Sequence, residues 1–381
     1  MVRLKVKDMT DSTVTNPPER VDVASQTASA GAPDESPKRQ VRQALVALGP
    51  QMYLFGVLAA VLAVGSALSP FFFTERNLVA VLITASVVSV LAVGQFTVIV
   101  TGGIDLSVGS VAALSSVIAA MLMSDGQPFV VAALAALAVA AFIGLVNGTL
   151  VVHARITPFI VTLAMLSVAR GLAYIVQHER LVPISNQHFL GLFVGYVGAI
   201  PNSILVALAV MVVAAVVMAA MPFGRRLYAI GGNAEAARLS GLPVKRDVTL
   251  AYVISSLLAG LGGLLIAAQL TEGSAIIGDG YELNAIAAVV VGGASLFGGT
   301  GNPVSAVIGG LIMGCILNIM DLLGVQAQPQ LVVKGAVILV AVFFTSGIGS
   351  KLLARLFSAI ATRVRARSAA EQAAPAGDAR A

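Results

Sequence analysis

The chain has 381 residues, of which 58% are hydrophobic and only 11% charged, and its formal net charge is +5. A soluble domain carries about 25% charged residues because its surface must face water, so this composition excludes an ordinary soluble protein and makes lipid the solvent over much of the surface. One cysteine, Cys315, and three histidines leave no disulfide, CxxC pair or Cys/His cluster, and a basic surplus on such a chain acts as a topology signal rather than as a nucleic-acid surface.

Residues 1–48 are polar, mixed in charge and without helical or strand period, and read as a disordered tail. A signal peptide would need a short basic start followed directly by an apolar core. Crossing about 30 Å of hydrocarbon takes about 20 apolar residues. Ten apolar stretches follow, near 51–69, 78–100, 107–123, 129–152, 158–177, 203–222, 248–270, 284–298, 303–323 and 331–347. The eighth and tenth are short for a full span, as tilted or partly re-entrant segments are. Gly260, Gly262 and Gly263, and then Gly309, Gly310 and Gly314, mark helix–helix contacts, since small residues let backbones approach closely in lipid. Residues 349–381 form a basic, then Ala-rich, tail. The fold class is therefore all-α and polytopic, with a transmembrane body over 49–348.

Within this body the first unusual segment is Thr101-Gly102-Gly103-Ile104-Asp105-Leu106-Ser107-Val108-Gly109-Ser110. An ionised Asp on a lipid-facing helix centre costs about 2.5–3.5 kcal/mol on insertion scales. Asp105 therefore lies near a membrane face, in a tight turn, or points into protein from a helix broken by Gly102 and Gly103. Both readings stand at this point. Asn147, Arg170, Asn284, Asn318 and Lys334 are further polar residues inside spans. Each either faces a pathway or bonds to a neighbouring helix, and Lys334, near the start of its span, reads as snorkelling to the interface.

The connection 223–247 contains a short helix with legible ends. Asn233 is an N-cap, Glu235 puts negative charge in the first turn, Gly241 is a left-handed stop and Pro243 prevents continuation. A capped helix of about two turns with small Ala residues fits a groove on a partner protein; the plain alternative is a basic connection.

Placing the N-terminus inside puts 19 of the 23 Lys and Arg residues on one side: the two tails, Arg155 and the 223–247 connection. Only Arg76 and Arg180 fall opposite, beside Glu75, Asp125, Glu179, Glu272, Asp279 and Glu282. The positive-inside rule then places both termini in the cytoplasm and requires an even number of spans. Some chemistry is missing: there is no GxxxxGK[ST] phosphate loop, no GxSxG and no HExxH.

The segments Gly102–Ser110, Asn147-Gly148, Thr157–Leu163 leading to Ala169-Arg170-Gly171, 224–243, Ala285–Gly299 and Gly301-Asn302-Pro303 occur in an order that resembles the permease subunits of bacterial ATP-binding-cassette importers for ribose, xylose and related monosaccharides. The resemblance covers most of residues 50–348 and neither tail. It implies a multi-pass protein of the bacterial inner membrane that is not itself an enzyme and binds no cofactor, while a separate cytoplasmic ATPase uses ATP and Mg. It further implies a second permease copy in a homodimer, an extracytoplasmic sugar-binding protein and surrounding lipid as partners, with no nucleic acid. Gly231, Gly232, Asn233, Glu235, Ala236, Ala237 and Gly241 then resemble the coupling helix that docks into the ATPase. Gly102, Gly103, Asp105, Ser107, Asn147 and Arg170 are candidates to line the sugar's path. For Asp105 the favoured role is holding the broken helix in shape rather than bonding sugar hydroxyls. Two competing readings are a proton-coupled secondary sugar transporter with Asp105 as proton carrier, and a scaffold or channel without energy coupling.

Overall fold

A computed structural model describes residues 37–178 and 180–345. The segment 1–36, the C-terminal tail and Glu179 lie outside the described residues. The chain divides between Gly49 and Pro50 into two units, and all contacts below belong to the second.

Helices dominate. Proline sets many of their starts, because its fixed φ and missing N–H suit the first turn. Pro158, Pro222 and Pro303 open α5 (Pro158–Gln177), α8 (Pro222–Gly232) and α12 (Pro303–Leu322). Pro128, Pro201 and Pro243 stand at the N-caps of α4 (Phe129–Val152), α7 (Asn202–Ala220) and α10 (Val244–Leu270). The remaining helices are α1 (Pro37–Leu68), α2 (Glu75–Ile99), α3 (Val108–Ser124), α6 (Gln187–Val194), α9 (Ala234–Leu239), α11 (Tyr281–Val291) and α13 (Ala327–Thr345).

Six of these, α2, α4, α5, α7, α10 and α12, are long and apolar enough to cross a membrane, and Tyr53–Leu68, Val108–Ser124, Tyr281–Val291 and Ala327–Phe343 are shorter apolar helices. The chain is thus an all-α polytopic membrane protein. The expected apolar stretches all coincide with helices, with shifted ends. α1 begins at Pro37, inside the segment read as tail, and α11 ends at Val291, well short of 298. At 1.5 Å per residue its 11 residues rise about 16 Å, roughly half the hydrocarbon thickness. Two helices, α6 and α8, have no counterpart among the expected elements.

The core is built on α2, α10 and α12. α10 packs against α2, α3 and α4, while α2 also meets α7, α11 and α12. Glycine makes these approaches possible. A Cβ on Gly263 would stand 2.8 Å from the Ala112 Cα, and one on Gly310 or Gly314 would stand 2.9 Å from the Cα of Ser89 or Ala85. The two glycine groups read as helix contacts therefore are such contacts, α10 on α2, α3 and α4, and α12 on α2 and α11. Cys315 is a buried free thiol. Two antiparallel strand pairs finish the connections. β1 (Val182–Pro183) pairs with β4 (Glu272–Gly273), tying the segment after α5 to the one after α10, and β2 (Tyr196–Val197) pairs with β3 (Ile200–Pro201).

Candidate functional site

Between α2 and α3 the chain does not make a simple turn at the end of the bundle. α2 stops at Ile99, Gly102 takes φ +83, and the backbone then runs back inward. Asp105, fully buried, lies level with Gln95 on α2 and Ser255 on α10. Ser255 is eleven residues past the first residue of α10, about 16 Å along its axis. α3 therefore starts inside the bundle, so the broken-helix alternative is the one observed.

A backbone break at that depth needs every polar group satisfied by protein. Asp105 Oδ1 accepts from the Ser107 N–H at 3.0 Å and from the Ser107 hydroxyl at 2.6 Å, and Oδ2 accepts from the Ser255 hydroxyl at 2.9 Å. In the amide orientation that satisfies both groups, Gln95 donates to the Asp105 carbonyl at 2.9 Å and accepts from its N–H at 3.2 Å. Asn147 on α4 donates to the Ser107 hydroxyl at 3.0 Å, and Thr162 on α5 donates to the Ile104 carbonyl at 3.2 Å. Gly103 has no room for a side chain, since a Cβ would come 2.6 Å from the Tyr252 hydroxyl. Asp105, Ser107 and Asn147 are fully buried and joined in one network, whereas Gly102 is exposed.

At the end where α2 stops, three backbone segments meet. The Gly299 N–H donates to the Val100 carbonyl at 2.9 Å. A Cβ on Gly231 would collide with that same carbonyl and with the Gly299 nitrogen, and one on Gly298 would lie 2.8 Å from the Gly102 nitrogen. The Tyr228 hydroxyl donates to the Gly301 carbonyl at 2.8 Å; burial raises its pKa above the usual phenol value. α8 is clamped to α10 by Arg226, whose Nη2 donates to Asp247 Oδ1 at 3.1 Å while Nε engages Oδ2 of the same fully buried carboxylate.

From this knot α9 projects. Its N-cap is Asn233, which accepts from the Ala236 N–H at 2.9 Å, and it ends at Gly241 with φ +80. The Gly241 N–H donates to the Arg238 carbonyl at 3.0 Å and the Leu242 N–H to the Ala237 carbonyl at 3.1 Å, the Schellman-like closure that a left-handed glycine allows. Only Ala237 faces inward; Asn233, Glu235, Ala236 and Leu239 are exposed. Glu235 and Arg238 form a two-bond pair on that exposed face, and these hydrogen bonds hold the Glu235 carboxyl below the usual carboxylate range. Phe297, 90% exposed, protrudes from the loop that carries Gly298 and Gly299.

Arg170 sits apart from these groups. It reaches from α5 to the connection between α10 and α11, where its Nη1 donates to the carbonyls of Ala275 and Ile277, the latter at 2.8 Å. Asn318 exchanges hydrogen bonds with Asn77, so it joins α12 to α2. Lys334 does not snorkel: it is buried near Gly280 at the start of α11. Sequence reasoning missed the Arg226–Asp247 clamp and the backbone knot. The clamp crosses from one helix to the next, and the knot is made of glycines, whose local pattern says only that the chain turns.

The family model described as the permease component of branched-chain amino acid transport systems matches residues 77–342. The chain is 41% identical to a ribose import permease of Escherichia coli over 75% of its length and 90% of that protein's, and 40% identical to one of Bacillus subtilis over 77% and 91%. It is 37% identical to a D-allose transport permease of E. coli over 76% of its length and 89% of the relative's. No solved structure matches the chain.

Proposed function

The chain belongs to the family of permease components typified by branched-chain amino acid transport systems, and we propose that it is the membrane-spanning subunit of an importer that moves a monosaccharide across the inner membrane by alternating access. The observation that carries this reading is the run of ribose, allose and arabinose permeases that align with about three-quarters of the chain. Import is driven by ATP, which a separate cytoplasmic ATPase binds with Mg, because this sequence has no phosphate loop. The six long and four shorter apolar helices count as ten spans with both termini cytoplasmic, in line with the charge split.

In this reading two copies of the chain enclose the path, and an extracytoplasmic sugar-binding protein delivers the substrate. Asn233, Glu235, Ala236 and Gly241 present α9 to the ATPase, with Ala237 anchoring it from behind. Gly231 and Gly232 relay its movement through Val100 to the broken helix. Gly102, Gly103 and Ser107 shape that break beside the path, with Asp105 and Asn147 as its internal supports, while Arg170 faces the path at the outer end. A proton-carrying role for Asp105 is disfavoured because both its oxygens are already engaged by Ser107 and Ser255.

The test is reconstitution with the ATPase and the sugar-binding protein encoded beside this chain. ATP hydrolysis should rise when the sugar-loaded binding protein is added. Hydrolysis indifferent to the loaded binding protein would refute the reading.

A further inference from the structure

The end of the bundle opposite α9 holds charged side chains that do not pair with one another in salt bridges. Leu166, Arg170 and Tyr174 of α5, together with Ile276, Asp279 and Glu282, line a pocket of about 250 Å³. Among the described residues Arg170, Asp279 and Glu282 form no salt bridge. Glu282 Oε2 is buried without a hydrogen-bond partner, and the Arg170 contacts to Ala275 and Ile277 use only Nη1 of a group with five donors. Lys334, which brings its ammonium within 3.8 Å of where a Cβ on Gly280 would stand, adds a second cation beside the same helix start.

Such groups on membrane-spanning segments do not face lipid; they face protein or an aqueous cavity. The pocket lining carries both signs, Arg170 against Asp279 and Glu282. Such a mixed lining suits a neutral ligand carrying many hydroxyls, each able to donate to a carboxylate and accept from a guanidinium. Tyr174, 44% exposed at the rim, offers a ring face for the C–H side of a sugar.

We propose that this pocket is a monosaccharide subsite at the outer mouth of the transport path, with Asp279 and Glu282 accepting hydroxyl hydrogens, Arg170 donating to ring or hydroxyl oxygens, and Tyr174 stacking against the ring. The assignment rests on the sugar-import reading above and adds the residues that hold the sugar as it enters.

The chain contains no tryptophan, so Tyr174→Trp in the purified full-length permease places a single fluorescent reporter at the rim. Titration with D-ribose, D-allose and L-arabinose should give a saturable change with at least one of them. Glu282→Gln or Asp279→Asn in the same background should weaken that response about tenfold, as loss of a charge-assisted hydrogen bond does. Asp279 is exposed, so its variant carries the comparison if the Glu282 variant elutes as aggregate. No saturable response to any of the three sugars, or a response unchanged by the substitutions, would overturn the subsite. ATP-dependent uptake by the unsubstituted transporter, measured in parallel, keeps the two readings apart: if it persists, only the subsite falls.

Discussion

Substituting Asp105 separates its structural role from a proton-carrying one. Its carboxylate accepts three hydrogen bonds inside the bundle, two from Ser107 and one from Ser255. Asn keeps the shape: its oxygen still accepts from the Ser107 N–H, and its NH₂ donates to the Ser255 hydroxyl, which can turn to accept. The net change is small, because weaker hydrogen bonds are offset by removing a buried charge. Ala instead leaves the Ser107 N–H and two hydroxyls without their acceptor. At about 1–3 kcal/mol for each of these three stranded buried groups, the loss comes to roughly 3–9 kcal/mol, a large share of the 5–15 kcal/mol that holds a typical protein folded. Asp105→Asn should therefore elute as a single species from detergent, melt near the parent and import sugar within about twofold of it, whereas Asp105→Ala should melt far lower or fail to accumulate. Size-exclusion elution, thermal melting and ATP-dependent uptake of the same preparations provide the assay. A well-folded Asp105→Asn protein that does not transport would refute the reasoning and restore Asp105 as a proton or substrate group.

Other substitutions test the end that carries α9. Gly231→Ala pushes a methyl into the Val100 carbonyl and the Gly299 nitrogen, while a Cβ on Gly232 meets nothing within 4 Å; uptake should fall severely in the first and stay near the parent level in the second. Glu235→Lys reverses the charge at the first turn of α9 and breaks the pair with Arg238, and Gly241→Pro removes its left-handed stop. Both should leave thermal melting close to the parent but uncouple ATP hydrolysis from uptake, and normal coupled transport in both would remove the docking assignment. Arg226→Met strands the buried Asp247 carboxylate, an expected loss of about 3–5 kcal/mol, and the double variant Arg226→Met/Asp247→Leu should regain most of it in a thermal melt.

Much of the fold was legible because lipid imposes a strong and local rule. A span must be apolar along its length, so the run before Ile99 and the run after Val244 announce themselves in the residue order. The short capped helix α9 was legible for a similar reason: Asn233, Glu235, Gly241 and Pro243 each act within one or two turns. Placement of Asp105 could not be read this way. Whether Gly102 and Gly103 sit in an end turn or at a break inside the bundle depends on Gln95, Asn147, Thr162 and Ser255, which come from four other helices. The same holds for Arg226 and Asp247, whose pairing follows only once α8 folds back on α10. Lys334 misled for the opposite reason: its position near a helix end favours snorkelling, but carboxylates on α11 and α12 supply a charged environment that no local pattern shows.

The central claim is that ATP, not an ion gradient, moves sugar through this chain. Radiolabelled sugar uptake into proteoliposomes holding the permease, its ATPase and its binding protein tests it most directly, with ATP supplied to the ATPase side and the proton gradient collapsed by an uncoupler. Uptake should continue under those conditions and stop when ATP is withheld. Uptake that proceeds without ATP and disappears with the gradient would contradict the account.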